Sequence, residues 1–98
     1  MAVSYLQFRF DQSDIKHAVA VVREMRPKGP ETIEELVSRS YHIPPQQIQW
    51  EPKIESKWEG TVVIRATTPQ GEGNLAWKVD LVRYSVIPIN LETIRLIQ

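Results

Sequence analysis

The spacing of apolar residues changes partway along this chain. In the first half, apolar side chains recur every three or four positions, whereas from about Ile48 onward they alternate with polar ones. A spacing of three to four residues predicts helices with one apolar face, and alternation predicts strands with one buried face. The pattern therefore predicts a single α+β domain over residues 1–98, with helices early and an antiparallel sheet late.

Two amphipathic helices are predicted in the first half of the chain. The first begins after Asp11, a favourable N-cap residue, and Asp14 follows in its first turn. Its apolar stripe contains Ile15, Ala18, Val19, Val22 and Met25. The second has Pro30 or Glu31 in its first turn, and Thr32 and Glu35 also have the spacing of a capping box. Its apolar stripe contains Ile33, Leu36 and Val37. The prolines that end the two helices are Pro27, Pro30, Pro44 and Pro45.

Strands are predicted before and after these helices in the sequence. Residues Ser4–Phe10 alternate apolar and polar, which predicts an N-terminal strand. Beyond the helices, one apolar face is predicted to contain Ile48, Trp50, Ile54 and Trp58. Pro52 lies on that face and has no N–H, which indicates an edge strand or a bulge. Two further strands are predicted at Thr61–Thr68 and from Leu75 to Leu81, with a hairpin loop at Pro69–Asn74 between them.

The end of the chain leaves two alternatives open. Val86–Ile89 either continues the preceding strand or forms a separate one after a turn near Tyr84. Asn90 suits the N-cap of a last short helix over Leu91–Ile97, although the apolar residues of that segment also suit a strand.

The predicted architecture has an N-terminal strand and two short helices followed by a three- to four-stranded antiparallel meander, with the helices on one sheet face. Short amphipathic helices need such a face for stability. The predicted core contains Leu6, Phe8, Phe10, Ile15, Val19, Val22, Ile33, Leu36, Val37, Ile48, Trp50, Val62, Ile64, Trp77, Val79 and Leu81.

The composition narrows the range of partners. Twelve basic residues balance twelve acidic ones, so the chain lacks the basic excess that usually accompanies nucleic-acid binding. There is no cysteine for a disulfide or a thiolate nucleophile. No apolar run approaches the roughly 20 residues that span a bilayer, and the first residues lack a signal-peptide core. We therefore expect a cytoplasmic protein that has no membrane partner. Nucleic acid is a possible partner that the zero net charge disfavours.

No arrangement of residues in the sequence predicts catalysis. His17 and His42 are the only side chains whose ordinary pKa lies near neutrality, and neither has a ligand partner at helical spacing. Glu51, Glu55 and Glu59 alternate with lysines, which is typical of a solvated strand face with charge pairs. We therefore expect no catalytic residue, no metal site and no cofactor.

One segment resembles a known DNA-binding motif. Residues 32–48 resemble a helix-turn-helix, with a helix carrying Leu36-Val37, a tight turn, and a second helix opened by proline. The turn has no glycine, and Pro52 would end the second helix after about two turns. The resemblance implies DNA binding through residues 32–51. A recognition helix would then be opened by Pro45, Gln46, Gln47 and Gln49, since glutamine can read adenine edges.

A further similarity involves the end of the sheet. Val79-Asp80-Leu81 followed by Val86-Ile87-Pro88 is similar to the final hairpin of PepSY-type small domains, where two strands joined by a turn pack on a helix. Glycine is usual at the turn position that Tyr84 occupies here, and a tyrosine disfavours left-handed backbone geometry. This similarity alone does not assign the chain to a family.

The function predicted from the sequence is a small non-enzymatic module of bacterial type. It is expected to bind another protein or to self-associate through an exposed sheet edge, because unpaired strand edges accept additional strands. The alternative is the DNA-binding protein of helix-turn-helix or winged-helix type described above.

Overall fold

The chain is described by a computed structural model over residues 10–69 and 75–98. Three helices and four strands form an α+β fold, as the sequence predicts. The strand predicted at Ser4–Phe10 lies outside the described residues except for Phe10, and so does the loop predicted at Pro69–Asn74 except for Pro69. The elements are α1 (Gln12–Glu24), α2 (Ile33–Tyr41), a 3-10 turn (Pro45–Gln47), β1 (Gln49–Ser56), β2 (Thr61–Thr67), β3 (Leu75–Asp80), β4 (Ser85–Pro88) and α3 (Leu91–Ile97).

Local capping fixes where α1 and α2 begin. Before α1, the Asp14 N–H donates to the Asp11 carboxylate at 2.9 Å, and the Asp11 N–H donates to Asp14 at 3.2 Å. Before α2, the Thr32 N–H donates to Glu35 at 2.9 Å and the Glu35 N–H to the Thr32 hydroxyl at 3.2 Å. These reciprocal bonds satisfy N–H groups that have no partner within the helix. The start after Asp11 and the Thr32–Glu35 capping box are confirmed, whereas Pro30 and Glu31 precede α2 and do not form its first turn.

The four strands form an antiparallel meander in the order β1-β2-β3-β4. Ile64 of β2 lies opposite Pro52 of β1 on one side and opposite Trp77 of β3 on the other. The register between β1 and β2 shifts between Ile54 and Ser56. Among the described residues β1 pairs only with β2, which agrees with the edge-strand interpretation of Pro52, whereas Pro52 itself is in regular register and the shift comes two residues further on.

The core lies between one face of the sheet and the helices. Ala18 and Val22 of α1 and Ile33 and Val37 of α2 belong to one buried cluster with inward residues of β2 and β3. Those inward strand residues are Val62, Ile64, Ala66, Leu75, Trp77 and Val79. Apolar burial of this kind is the main stabilising contribution to a domain of this size. Every predicted core residue within the described ranges is buried or packed against this core.

Two tryptophans lie at the centre of this face. The ring of Trp77 is completely buried, and its centroid is 6.2 Å from that of the half-buried Trp50, within the range of favourable aromatic pairs. Neither indole N–H has a hydrogen-bond partner among residues 10–69 and 75–98. Leaving a buried donor unpaired costs about 1–3 kcal/mol, so packing rather than polar contacts holds both rings.

The prediction that Ile54 and Trp58 share the buried face is wrong for Trp58. Trp58 lies in the turn between β1 and β2 and is 61% exposed, and Ile54 is 38% exposed. The register shift after Ile54 ends the alternation before Trp58 is reached. Without that alternation the ring no longer follows the inner face.

A buried threonine connects α3 to the sheet. The Thr93 hydroxyl accepts a hydrogen bond from the Ala76 N–H at 2.8 Å and donates to the Asn90 side chain at 2.6 Å. The Asn90 side chain also accepts from the Thr93 N–H, as an N-cap residue does. Both open alternatives are thereby settled: β4 is a separate strand, and Leu91–Ile97 is a helix capped by Asn90.

Replacing Thr93 tests the importance of this link. Thr93→Val keeps the shape but leaves the buried Ala76 N–H unpaired, so we expect the free energy of unfolding in urea to fall by about 1–3 kcal/mol. Amide exchange at Ala76 should accelerate in this variant. The control Thr93→Ser retains the hydroxyl and should keep Ala76 protected, although it loses a methyl group. Unchanged stability and Ala76 protection in Thr93→Val would show that the bond is unimportant.

Candidate interaction surfaces

The residues of the helix-turn-helix interpretation do not form a recognition helix. Pro45, Gln46 and Gln47 make a single 3-10 turn, and Gln49 is already the first residue of β1. All four are exposed, so the structure brings them together as one polar corner. The prediction of a second helix is wrong because the chain from Gln49 pairs with β2, with Trp50 opposite Ala66.

The two histidines lie far from any cluster of possible ligands. His17 is exposed on α1, and exposed His42 ends α2 with a left-handed backbone, φ 55°. Within residues 10–69 and 75–98, no group of three or more His, Asp or Glu side chains is arranged to hold a metal ion.

The first candidate surface is the open edge, defined as the side of β1 that faces away from β2. No strand among the described residues pairs with this side. A proline fits into a strand pair where its nitrogen points away from the neighbouring strand. The nitrogen of Pro52 therefore faces the open edge. Backbone groups alternate in direction along a strand, so Trp50 and Ile54 present their N–H and C=O groups to the same side.

Charged side chains of β1 lie on the outer face of the sheet, which the helices do not cover. Glu51 is directly opposite Arg65 of β2, an arrangement that stabilises antiparallel pairs. Glu55 accepts from the Thr61 hydroxyl at 2.8 Å and lies 3.1 Å from the Lys78 ammonium. The Thr61 bond and then the Lys78 contact lower the pKa of the Glu55 carboxyl. The outer face therefore holds a set of matched charges.

The second candidate surface lies at one end of the sheet, where the β1–β2 and β3–β4 turns meet. The Leu81 N–H of one turn donates to the Gly60 carbonyl of the other at 2.9 Å. A cleft of about 430 Å³ between the two turns is lined by Trp58, Glu59, Asp80, Val82 and Arg83. We call this the tip surface, and Tyr84 adjoins it in the chain.

The β3–β4 turn is held by Asp80. Its carboxylate accepts hydrogen bonds from the N–H groups of Arg83 and Val82, each at 2.9 Å. The Arg83 bond is the largest cause of a lowered Asp80 pKa, and the Val82 bond and the nearby Arg83 and Lys78 charges also lower it. These two hydrogen bonds to Asp80 therefore stabilise the backbone conformation of the turn.

Tyr84 closes the same turn in an unusual conformation. Its φ is 57°, in the left-handed region that disfavours residues with a side chain, and its ring is 81% exposed. The hairpin similarity in the sequence marked this position as one where glycine is usual. The turn forms with the tyrosine in place, and little packing compensates for the strain.

Sequence patterns did not identify the tip surface. Trp58 was expected on the inner face, and Val82 lies beyond the predicted strand end. Only the meander brings residue 58 next to residues 82 and 83. A useful signal was nevertheless present for one of the two turns, since Val82 and Tyr84 lie at the turn predicted near Tyr84 and have no strand neighbours to pack against.

A third concave region adjoins the start of α2. It has a volume of about 530 Å³ and lies beside Lys28, Glu31 and Arg39. Arg39 donates to both carboxylate oxygens of Glu31, at 2.8 and 2.9 Å, and these bonds lower the Glu31 pKa. Arg39 and Glu31 therefore neutralise each other in an exposed ion pair.

Comparisons with known proteins give no match. No protein-family model, curated protein or solved structure is significantly similar to this chain. None of the described helices has the length and apolar content required to cross a membrane.

Replacing Tyr84 tests the strain in the turn. Glycine adopts φ 57° without a steric penalty, so we expect Tyr84→Gly to raise the free energy of unfolding by about 0.5–1 kcal/mol. The matched control is Arg83→Gly at the preceding position, which does not have positive φ and should be destabilised by glycine. Urea unfolding of both variants provides the measurement. A less stable Tyr84→Gly would indicate that the ring makes a stabilising contact.

Proposed function

We propose that this chain is a small non-enzymatic module that binds another protein chain, or a second copy of itself, by adding a strand at the open edge. The observation that carries the proposal is β1 itself, an eight-residue edge strand without a neighbour on one side among the described residues. Unpaired N–H and C=O groups along such an edge bind extended peptides through main-chain hydrogen bonds.

The other edge of the sheet is a poorer candidate. Strand β4 has only four residues and ends at Pro88, which has no N–H to donate. Beyond it, the Thr93 hydroxyl already takes the Ala76 N–H of β3. This combination of a short strand, a proline and a covering helix is how proteins protect an edge.

The composition of β1 favours a selective partner over indiscriminate pairing. Pro52 removes one donor, so an added strand bonds through the backbone of Trp50 and Ile54 on either side of it. Glu51 and Lys53 alternate in charge along the outer face. A partner strand with the opposite sequence of charges is stabilised in one register, and other registers bring like charges together.

The proposal is tested by blocking the edge without removing the strand. Ile54→Pro removes a second outward N–H, and we expect it to weaken association at least tenfold, consistent with the loss of about one net hydrogen bond plus steric interference. Association is measured by sedimentation equilibrium over a wide concentration range. Comparison of the proteins captured from an extract by the two forms covers the case of a different partner.

The matched control is Ile54→Ala, which removes the half-exposed side chain but keeps the amide. This variant should retain most of the binding, and circular dichroism should show that both variants are folded. If the protein is monomeric at every concentration, and if Ile54→Pro captures the same proteins as the unmodified chain, the open edge is not a binding site.

A further inference from the structure

We propose that the partner of the open edge is a second copy of this chain, paired antiparallel so that Ile54 of one copy lies opposite Ile54 of the other. This inference rests on the function proposed above and specifies both the partner and the register. Two copies related by a two-fold axis present the same strand to each other in opposite directions. The side chains of β1 therefore decide which pairings are stable.

The charges of β1 exclude three of the possible registers. Glu51, Lys53 and Glu55 occupy alternate positions on the outer face. A pairing centred on any one of them places that residue opposite its own copy. Like charges directly opposite each other destabilise a strand pair. The pairing is therefore centred on a residue of the inner face.

Among the inner-face residues of β1, Ile54 is the best centre. A pairing centred on Trp50 would use only Gln49–Glu51, because β1 begins at residue 49. A pairing centred on Pro52 would place two proline rings opposite each other, and each ring would occupy the space of a hydrogen bond. With Ile54 at the centre, the N–H group of each copy donates to the Ile54 carbonyl of the other.

The irregular end of β1 accommodates Pro52 in this register. Pro52 faces position 56 of the other copy, where a regular strand would present a carbonyl group in need of a donor. The Ser56 carbonyl instead accepts a hydrogen bond from the Gly60 N–H of its own turn at 3.0 Å, after the register shift between Ile54 and Ser56. The missing N–H of Pro52 therefore leaves no acceptor without a partner at this position.

Opposite charges meet on the outer face when Ile54 is the centre. Lys53 of each copy lies opposite Glu55 of the other, so this favourable pair occurs twice. Lys53 forms no salt bridge with any described residue. Glu55 already contacts Thr61 and Lys78, but a carboxylate has acceptor positions for a further donor. The charges of β1 thus complement the same strand in the reverse direction, which favours a second copy as the partner.

Apolar surface lies beside the same centre, on the inner side of the edge. Ile54 is 38% exposed, and the concavity next to it has a volume of about 450 Å³. The residues that line this concavity are Phe10, Asp11, Gln12, Ile15, Lys16 and Ile54. In the proposed pair the two Ile54 side chains are cross-strand neighbours on one face, so the two concavities lie side by side. Apolar burial at the axis then adds to the backbone hydrogen bonds.

Cross-linking tests the register, because the chain has no cysteine of its own. In the proposed pair the two Ile54 Cα atoms are about 5.5 Å apart, a distance that a disulfide spans. We therefore expect Ile54→Cys to form disulfide-linked dimers rapidly on mild oxidation. In the matched control Gln49→Cys the two thiols lie about 34 Å apart along the strands, and this variant should stay monomeric. A cross-linking rate for Ile54→Cys no faster than that of the control would overturn the register.

Charge reversal tests the identity of the partner. Lys53→Glu and Glu55→Lys each bring like charges together, so each variant alone should self-associate roughly tenfold more weakly in sedimentation equilibrium. An equimolar mixture should regain the affinity of the unmodified chain, because every opposed pair again has opposite signs. The matched controls are Arg95→Glu and Glu92→Lys, which change exposed residues of α3 at the other edge and should leave association unchanged.

The outcomes separate this inference from the function proposed above. Failure of the mixture to regain association, or equal losses in the α3 controls, would overturn a second copy as the partner. If the chain is monomeric but Ile54→Pro loses a captured protein, the open edge is a binding site for a different chain and only this inference fails. Circular dichroism shows whether each variant is folded. Should Glu55→Lys unfold, unchanged association of Lys53→Glu would by itself contradict the pairing.

Discussion

The burial of one sheet face beneath two short helices is the constraint on which the rest of this structure depends. Neither α1 nor α2 is long enough to be stable alone, and the inward side chains of β2 and β3 need a cover. Trp77 is completely buried at the centre of this face, and no described residue forms a hydrogen bond with its indole N–H, so apolar packing holds its ring. The described helices therefore lie on one side of the sheet, and exposed charged side chains such as Glu51 and Arg65 lie on the other.

This one-sided arrangement determines which surfaces are available. The outer face is occupied by charges that match one another across strands, such as Glu51 with Arg65 and Glu55 with Lys78. The β4 edge is short and continued by α3. What remains are the backbone groups along β1, where binding is proposed, and the two turns at the end of the sheet.

Much of the fold follows from short-range patterns. The capping boxes at Asp11–Asp14 and Thr32–Glu35 and the N-cap at Asn90 involve residues three apart, so the sequence alone identifies them. Alternation likewise identifies β2 and β3. Alternation also predicted β1, and Pro52, which has no N–H to donate, indicated an edge strand or a bulge.

The tip surface and the attachment of α3 were harder to predict, because they depend on contacts between distant residues. The bond from Ala76 to Thr93 joins residues 17 apart, and the tip surface joins residue 58 to residues 82 and 83. The register shift after Ile54 turned Trp58 out of the core, which alternation cannot anticipate. The proposed recognition helix failed for a related reason: residues after Gln47 gain more from pairing with β2 than from continuing a helix.

Amide hydrogen exchange in dilute solution tests the central claim most directly. If one covered face leaves β1 with an open edge, the central amides of Val62 and Val79 should exchange only through global unfolding. The amides of Trp50 and Ile54 should then exchange orders of magnitude faster in the same sample. Equal protection of all four amides in the monomer would contradict the account, because the backbone of β1 would then be bonded on both sides.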